Sequence, residues 1–323
     1  TFFNSKTPVW FPDITYSFYD VWADMLRIPY EVKPLDENFQ IVKEDYYGEN
    51  GGVVFPNPNA PTGILMPLSE IEDIIQHNRN VIVVVDEAYI DFGGESALPL
   101  IEKYDNLLVV QTFSKSRSMA GMRIGYAMGN EKLIKYINDV KYSFNSYTMN
   151  QTALALGVEA IKDKAYFEET RQRVIATREW TKQELTKLGF SFGDSMSNFI
   201  FATHERVPAK ELFEALKKEH IFVRYFSKER ISNYLRISIG TKEEMEELIR
   251  FLKTQYPGIL TERYEVEETQ KETELLCGIA ENRKCITKGG ELDYSKAAAL
   301  LIDEFRGGKL GKITLEWPQV QAE

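Results

Sequence analysis

Cysteine is scarce in this chain: Cys277 and Cys285 are its only two, both towards the C-terminal end. That leaves no disulfide framework and no paired zinc-ligand pattern, so no metal is expected and a reducing compartment such as the cytoplasm is. No apolar run is long enough to cross a bilayer, and no membrane partner is expected. Positive charge is not in excess either. The formal net charge of −10 argues against broad attraction to nucleic acid and points to small-molecule partners. A GxxxxGK[ST] loop is absent, so GTP hydrolysis is not expected. Internal repeats are absent as well, which excludes a solenoid.

What is present reads as a mostly parallel α/β protein. Short β-branched runs, GGVVF at 51–55, VIVVVD at 81–86, LLVVQTF at 107–113 and IGYAM at 124–128, have the near-continuous apolarity of strands buried on both faces. Between them, PLSEIEDIIQH at 67–77 has helical spacing at Ile71, Ile74 and Ile75, with Ser69 as the expected N-cap. From about Asn150 long helices take over, the second ending at Gly189 as a C′ glycine would. A smaller α+β unit follows, with NFIFAT, IFVRYF and YLRISIG as strands. We expect a large domain over 1–150, a small domain over 151–256 and a helical tail over 257–323, with a boundary near Pro257.

In open α/β sheets ligands bind outside the carboxyl ends of the strands, so the polar residues there carry the chemistry. The chain offers PNPNAPTG (56–63), DEAYIDF (86–92), TFSKSRSMAGMRIGY (112–126) and, in the smaller unit, YLRISIG (234–240). A PTG turn, then D-E-A-Y, then S-K with A-G-x-R-x-G, then L-R-I-S-x-G resembles the ordered motif set of the fold-type-I pyridoxal-phosphate (PLP) dependent aminotransferases. Within that family the histidinol-phosphate branch is the nearest likeness. The resemblance spans residues 1 to about 256, and four pieces in order are far more specific than any one.

The resemblance implies PLP as cofactor and an amino donor and a 2-oxo acid, such as 2-oxoglutarate, as substrates, with a homodimer as the working form. It assigns Lys115 as the catalytic lysine that binds the cofactor covalently, where the bare sequence reads as a lysine in a Ser-rich loop. Asp86 is then the acid that pairs with the pyridine nitrogen, and Tyr89 the tyrosine that hydrogen-bonds the ring oxygen. Arg123 grips the cofactor phosphate, aided by the hydroxyls of Thr112 and Ser114. Tyr16 is the aromatic that stacks on the ring. Arg236 clamps the substrate α-carboxylate, and Arg224 matches a second arginine near the substrate phosphate.

The chain departs from the pattern at three places. Ala60 stands where the family has asparagine before Pro-Thr-Gly, so Asn59 or Asn57 is the expected substitute donor, with Asn59 assigned. The opening, TFFNSKTPVWFPDITYSFYDVW, carries aromatics and acids instead of a signal peptide, and lacks the glycine-rich loop that the family places upstream; an N-terminally incomplete large domain is expected. Residues 256 to about 316 resemble the C-terminal helical domain of circularly permuted ribosome-assembly GTPases, through ERY, GGELDY and FRGGKLGKITLE, which implies a ribosome or RNA contact. Two alternatives stay open: another fold-type-I PLP chemistry on an aromatic or amino-acid-phosphate substrate, and an inactive fragment or fusion with a ribosome-binding tail.

Overall fold

The computed structural model describes residues 1–4, 6–255, 264, 272–287 and 290–306. They fall into two compact units, Thr1–Glu246 and Glu247–Glu323. The first holds two sheets. In the larger, β1 (Val9–Pro12), β2 (Tyr30–Lys33), β3 (Val53–Pro56), β4 (Val83–Asp86), β5 (Leu107–Thr112) and β6 (Gly125–Gly129) lie in the order β2-β1-β3-β4-β5-β6. All neighbours are parallel except β5 and β6. Val53, Phe55, Val83, Val85, Leu107 and Val109 are fully buried, as the β-branched runs require.

Strands β1 and β2 lie outside the sequence expectation. VWFP follows Pro8 and ends on Pro12, and YEVK is an edge strand with three exposed positions, so neither shows the apolar run that marks the central strands. Helix α1 (Tyr19–Leu26) connects them. Helix α2 (Leu68–His77) buries Ile71, Ile74 and Ile75 as expected, but its N-cap is Pro67; Ser69 lies inside the first turn and caps nothing. Helix α3 (Glu131–Phe144) precedes α4 (Gln151–Lys162) and α5 (Lys164–Lys187), which start on the capping side chains of Asn130, Asn150 and Asp163. Past the end of α5, Gly189 adopts φ +78°, the left-handed turn foreseen for it.

The smaller sheet contains β7 (Phe190–Phe192), β8 (Phe199–His204), β9 (Arg224–Tyr225) and β10 (Leu235–Ser238) in the order β7-β8-β10-β9, all antiparallel. Only two residues of IFVRYF pair as strand. Helix α6 (Ala209–Lys218) buries Ala209, Leu212 and Leu216. Helix α7 (Lys242–Gln255) runs through the division between the units. The boundary foreseen near Pro257 lies outside the described residues. In the second unit, helices Glu272–Asn282 and Tyr294–Arg306 bury Ile279, Ala280, Cys285 and Ala297 together with Tyr264, whose hydroxyl donates to Glu304 Oε2 at 2.7 Å. Of ERY only Tyr264 is described, of GGELDY all but Gly289, and of the closing FRGGKLGKITLE only Phe305 and Arg306.

Candidate active site

Because β3, β4 and β5 run parallel, their carboxyl ends deliver the PTG turn, the DEAY turn and the Ser-Lys turn to one edge of the sheet. Asp86 closes β4. Its Oδ2 accepts the Tyr19 hydroxyl at 2.9 Å and its Oδ1 the Ala88 N–H at 3.1 Å. Burial pushes the Asp86 carboxyl above its ordinary range, opposed by the Tyr19 and Ala88 donors and the Lys115 charge.

Lys115 Nζ lies 5.1 Å from the centroid of the Tyr89 ring. Among the described residues it makes no ion pair or hydrogen bond, so the amine is uncommitted. Tyr89 in turn meets Phe199 edge-on at 5.1 Å, and the Arg236 guanidinium lies 5.1 Å from the Phe199 centroid on the other sheet. Lys115, Tyr89, Phe199 and Arg236 thus form a continuous row that joins the DEAY and Ser-Lys turns to β10. Arg236 Nε is buried without a partner, and Arg236 is the register partner of Arg224. Two arginines opposite one another on an antiparallel pair repel unless an anion lies between or beside them.

At the end of β5, Phe113 N–H donates to Ile124 O at 3.1 Å, which sets Ser114 beside Arg123. Thr112 Oγ1 lies 2.9 Å from Ser114 Oγ and accepts the Ser114 N–H at 3.0 Å. Arg123 sits in the left-handed region at φ 56°, exposed, with Nη1 donating to Ala120 O at 2.8 Å and the rest of its fork free among the described residues. The backbone pairing at this corner thus brings together the Thr112 and Ser114 hydroxyls and Arg123, donor types that suit a phosphate.

Tyr16 is 43% exposed, its ring stacked on Phe18 at 5.7 Å and edge-on to Tyr19 at 5.7 Å and to Trp22 at 5.8 Å. Asn59 departs from expectation. Its amide nitrogen donates to Ile14 O at 2.9 Å and Thr62 Oγ1 at 3.2 Å, and its oxygen accepts Thr15 Oγ1. Both amide hydrogens are spent, so Asn59 braces the PTG turn against the loop that carries Tyr16 and presents no free donor. Asn57 is likewise committed, to both backbone groups of Met66.

Several functional contacts escaped the sequence. Tyr19 sits three residues after Tyr16, a spacing that puts the two on one side of a helical turn, but nothing local reveals that its hydroxyl reaches Asp86. Ser116 donates to Asp91, tying the lysine turn to the DEAYIDF segment. Glu87, 2% exposed, accepts from Ser96 Oγ, Gln111 Nε2 and Ala97 N–H.

The profile of the family described as aminotransferase class I and II matches residues 1–252. The chain belongs to that family. A histidinol-phosphate aminotransferase of Lactococcus lactis subsp. lactis is 49% identical over 271 residues, 84% of this chain and 74% of the relative. The crystal structure of the histidinol-phosphate aminotransferase from Clostridium acetobutylicum superposes with a TM-score of 0.72 at 25% identity, covering 78% of each chain. A histidinol-phosphate aminotransferase from Sinorhizobium meliloti, solved in complex with pyridoxal-5'-phosphate, shares the fold with a TM-score of 0.69 at 22% identity, covering 77% of this chain and 71% of that one. The architecture is therefore that of fold type I. Since the family match ends at residue 252, it lends no support to a ribosome-assembly likeness in the tail.

Class I and II aminotransferases work with PLP, exchanging an amino group between an amino donor and a 2-oxo acid. The residues here fit that group. An uncommitted amine, a half-buried carboxylate with no cationic ion-pair partner among the described residues, a corner with two hydroxyls and an arginine, and a half-exposed aromatic stand at one sheet edge. Each answers a different part of the cofactor: aldehyde, ring nitrogen, phosphate and ring face.

Proposed function

We propose that the chain is a histidinol-phosphate aminotransferase, transferring the amino group of histidinol phosphate to 2-oxoglutarate in histidine biosynthesis. The observation that carries the substrate is the pair Arg236 and Arg224, register partners across β10 and β9, with the buried Arg236 Nε unpaired. A substrate with an anionic phosphate relieves such a pair, and a carboxylate on the 2-oxo acid does the same in the other half of the cycle. The names of the relatives at about half identity point the same way.

In this reading Lys115 would hold the cofactor and, as an amine with no other partner among the described residues, would serve as the base for the substrate α-proton. PLP, when bound, supplies the electrophilic carbon that captures the amine and the ring that delocalises the electrons left by that proton. Asp86 keeps the ring nitrogen protonated. Tyr89 donates to the ring oxygen, the role that Asn59 cannot fill with both amide hydrogens spent. Arg123, Ser114 and Thr112 hold the phosphate, Tyr16 packs on the ring face, and Arg236 clamps the α-carboxylate of the acids. We also assign the working form as a cytoplasmic homodimer with a large domain over 1–150 and a small domain over 151–256. Exposed Phe18, Trp22, Met25 and Leu26 on and beside α1 support an apolar contact there.

The test begins with absorbance of the purified chain plus PLP. A visible band in the parent that is lost in Lys115→Ala supports the lysine, and its absence from folded parent sinks the reading. Steady-state kinetics then decide the substrate. Arg224→Ala should raise KM for histidinol phosphate by about tenfold or more while leaving an unphosphorylated aromatic donor within about twofold; equal effects on both would favour an aromatic aminotransferase.

A further inference from the structure

Asp86 ends β4 in a half-buried position, yet among the described residues no lysine, arginine or histidine forms an ion pair with it. Neutral donors hold it instead. The Ala88 N–H on Oδ1 comes from two residues further along and is a local turn contact. The Tyr19 hydroxyl on Oδ2 comes from 67 positions earlier, so tertiary structure alone delivers it.

Tyr19 can donate and do little else. It opens α1, is 6% exposed and lies in an apolar cluster with Val9 and Phe11, meeting Phe11 edge-on at 5.8 Å. Burial first, then the Asp86 charge, raise its phenol well above the usual range, so the proton stays on the oxygen. Asp86 is the hydroxyl's hydrogen-bond partner, and no other is present among the described residues. A phenylalanine would satisfy the apolar cluster equally well. The hydroxyl is a buried polar group whose presence is explained by the carboxylate it meets.

We propose that Tyr19 is a positioning residue for the cofactor: its hydroxyl fixes Asp86 Oδ2, so that the carboxylate stays ionised and aims its remaining lone pairs at the protonated ring nitrogen. This rests on the PLP reading above. Without Tyr19 the desolvated carboxyl keeps one backbone donor, takes up a proton more readily, and loses the charge that pairs with the nitrogen.

The experiment compares two probes on the full chain, PLP and its analogue with carbon in place of the ring nitrogen, in the parent and in Tyr19→Phe. Dissociation constants come from titration of the apo chain, and apo melting temperatures are recorded alongside. Tyr19→Phe should weaken PLP by about tenfold, the worth of a hydrogen bond to a charged group, and leave the analogue unchanged within about twofold. The parent's preference for PLP over the analogue should shrink by the same factor. Equal weakening of both probes would make Tyr19 a packing residue, and no weakening of either would make its hydroxyl idle; each result overturns the proposal. The ratio of the two affinities is read on folded protein and does not depend on the variant's stability. A parent with no Lys115-dependent band overturns the PLP reading, and the inference with it, which separates that failure from a failure at Tyr19.

Discussion

Glu87 and Asp86 are neighbours at the end of β4 with opposite duties. Asp86 meets Tyr19 and Ala88 at the carboxyl edge of the sheet, whereas Glu87 gathers Ser96, Gln111 and Ala97 with no cation paired to it among the described residues. Gln111 also accepts the Tyr126 hydroxyl at 2.7 Å, which extends this network from β4 through β5 to β6. Replacing Glu87 by alanine strands three donors, and we expect a loss of about 2–4 kcal/mol in urea unfolding. Burial raises the Glu87 carboxyl above its ordinary range against the pull of its donors. A group raised in the folded state contributes stability that is fully present below its unfolded pKa and is lost as pH rises through the folded one. The apo parent should therefore lose stability from the ordinary carboxylate range upward, and Glu87→Gln should flatten that slope. Urea midpoints for both proteins at a series of pH values check this; parallel slopes would assign the pH dependence elsewhere. At this scale the motif residues were legible because strand ends announce themselves in sequence. The partners of Asp86 and Asn59 were not, since Tyr19 and Ile14 reach them from 67 and 45 positions away.

Among the elements, α5 shows most clearly what periodicity misses. Its buried positions are Arg178, Thr181, Lys182, Glu184 and Leu185, hardly an apolar stripe. The reason is that two cations serve loop carbonyls. Arg178 Nη1 donates to Phe92 O at 2.8 Å and to Ser197 O at 2.9 Å. Lys182 Nζ reaches Asp194 at 2.7 Å and Ser195 O at 3.1 Å. One loop follows Tyr89 and the other precedes Phe199, so α5 fixes the two aromatics that meet between Lys115 and Arg236. Arg178→Met keeps the stem packing and removes the fork. We expect about 2–4 kcal/mol of lost stability from the unpaired carbonyls, together with a raised KM for the amino donor. Thermal melts and steady-state kinetics would check both; a loss of stability with KM unchanged would leave α5 a purely structural brace. The helix itself was legible from its length and its Gly189 stop, but its polar face was not, because a buried arginine looks like a solvated one until its acceptors are in place.

The assigned residues run from Tyr16 to Arg236 and lie in the unit Thr1–Glu246, while the family match ends at residue 252. Beyond that point the helices Glu272–Asn282 and Tyr294–Arg306 bury their own small cluster around Ile279, Ala280 and Ala297, closed by the bond from Tyr264 to Glu304. None of the residues assigned to the cofactor lies beyond the family match. We therefore expect a chain ending at Gln255 to keep the visible band with PLP, and to hold KM for both substrates within about twofold of the parent. The melting profile should lose a separate, PLP-insensitive transition, because only the cofactor-binding unit gains stability from ligand by mass action. Side-by-side absorbance titration and calorimetry of the two chains decide it. A shortened chain that folds yet fails to bind PLP would make the C-terminal helices part of the cofactor-binding unit, and would overturn the division drawn from the sequence.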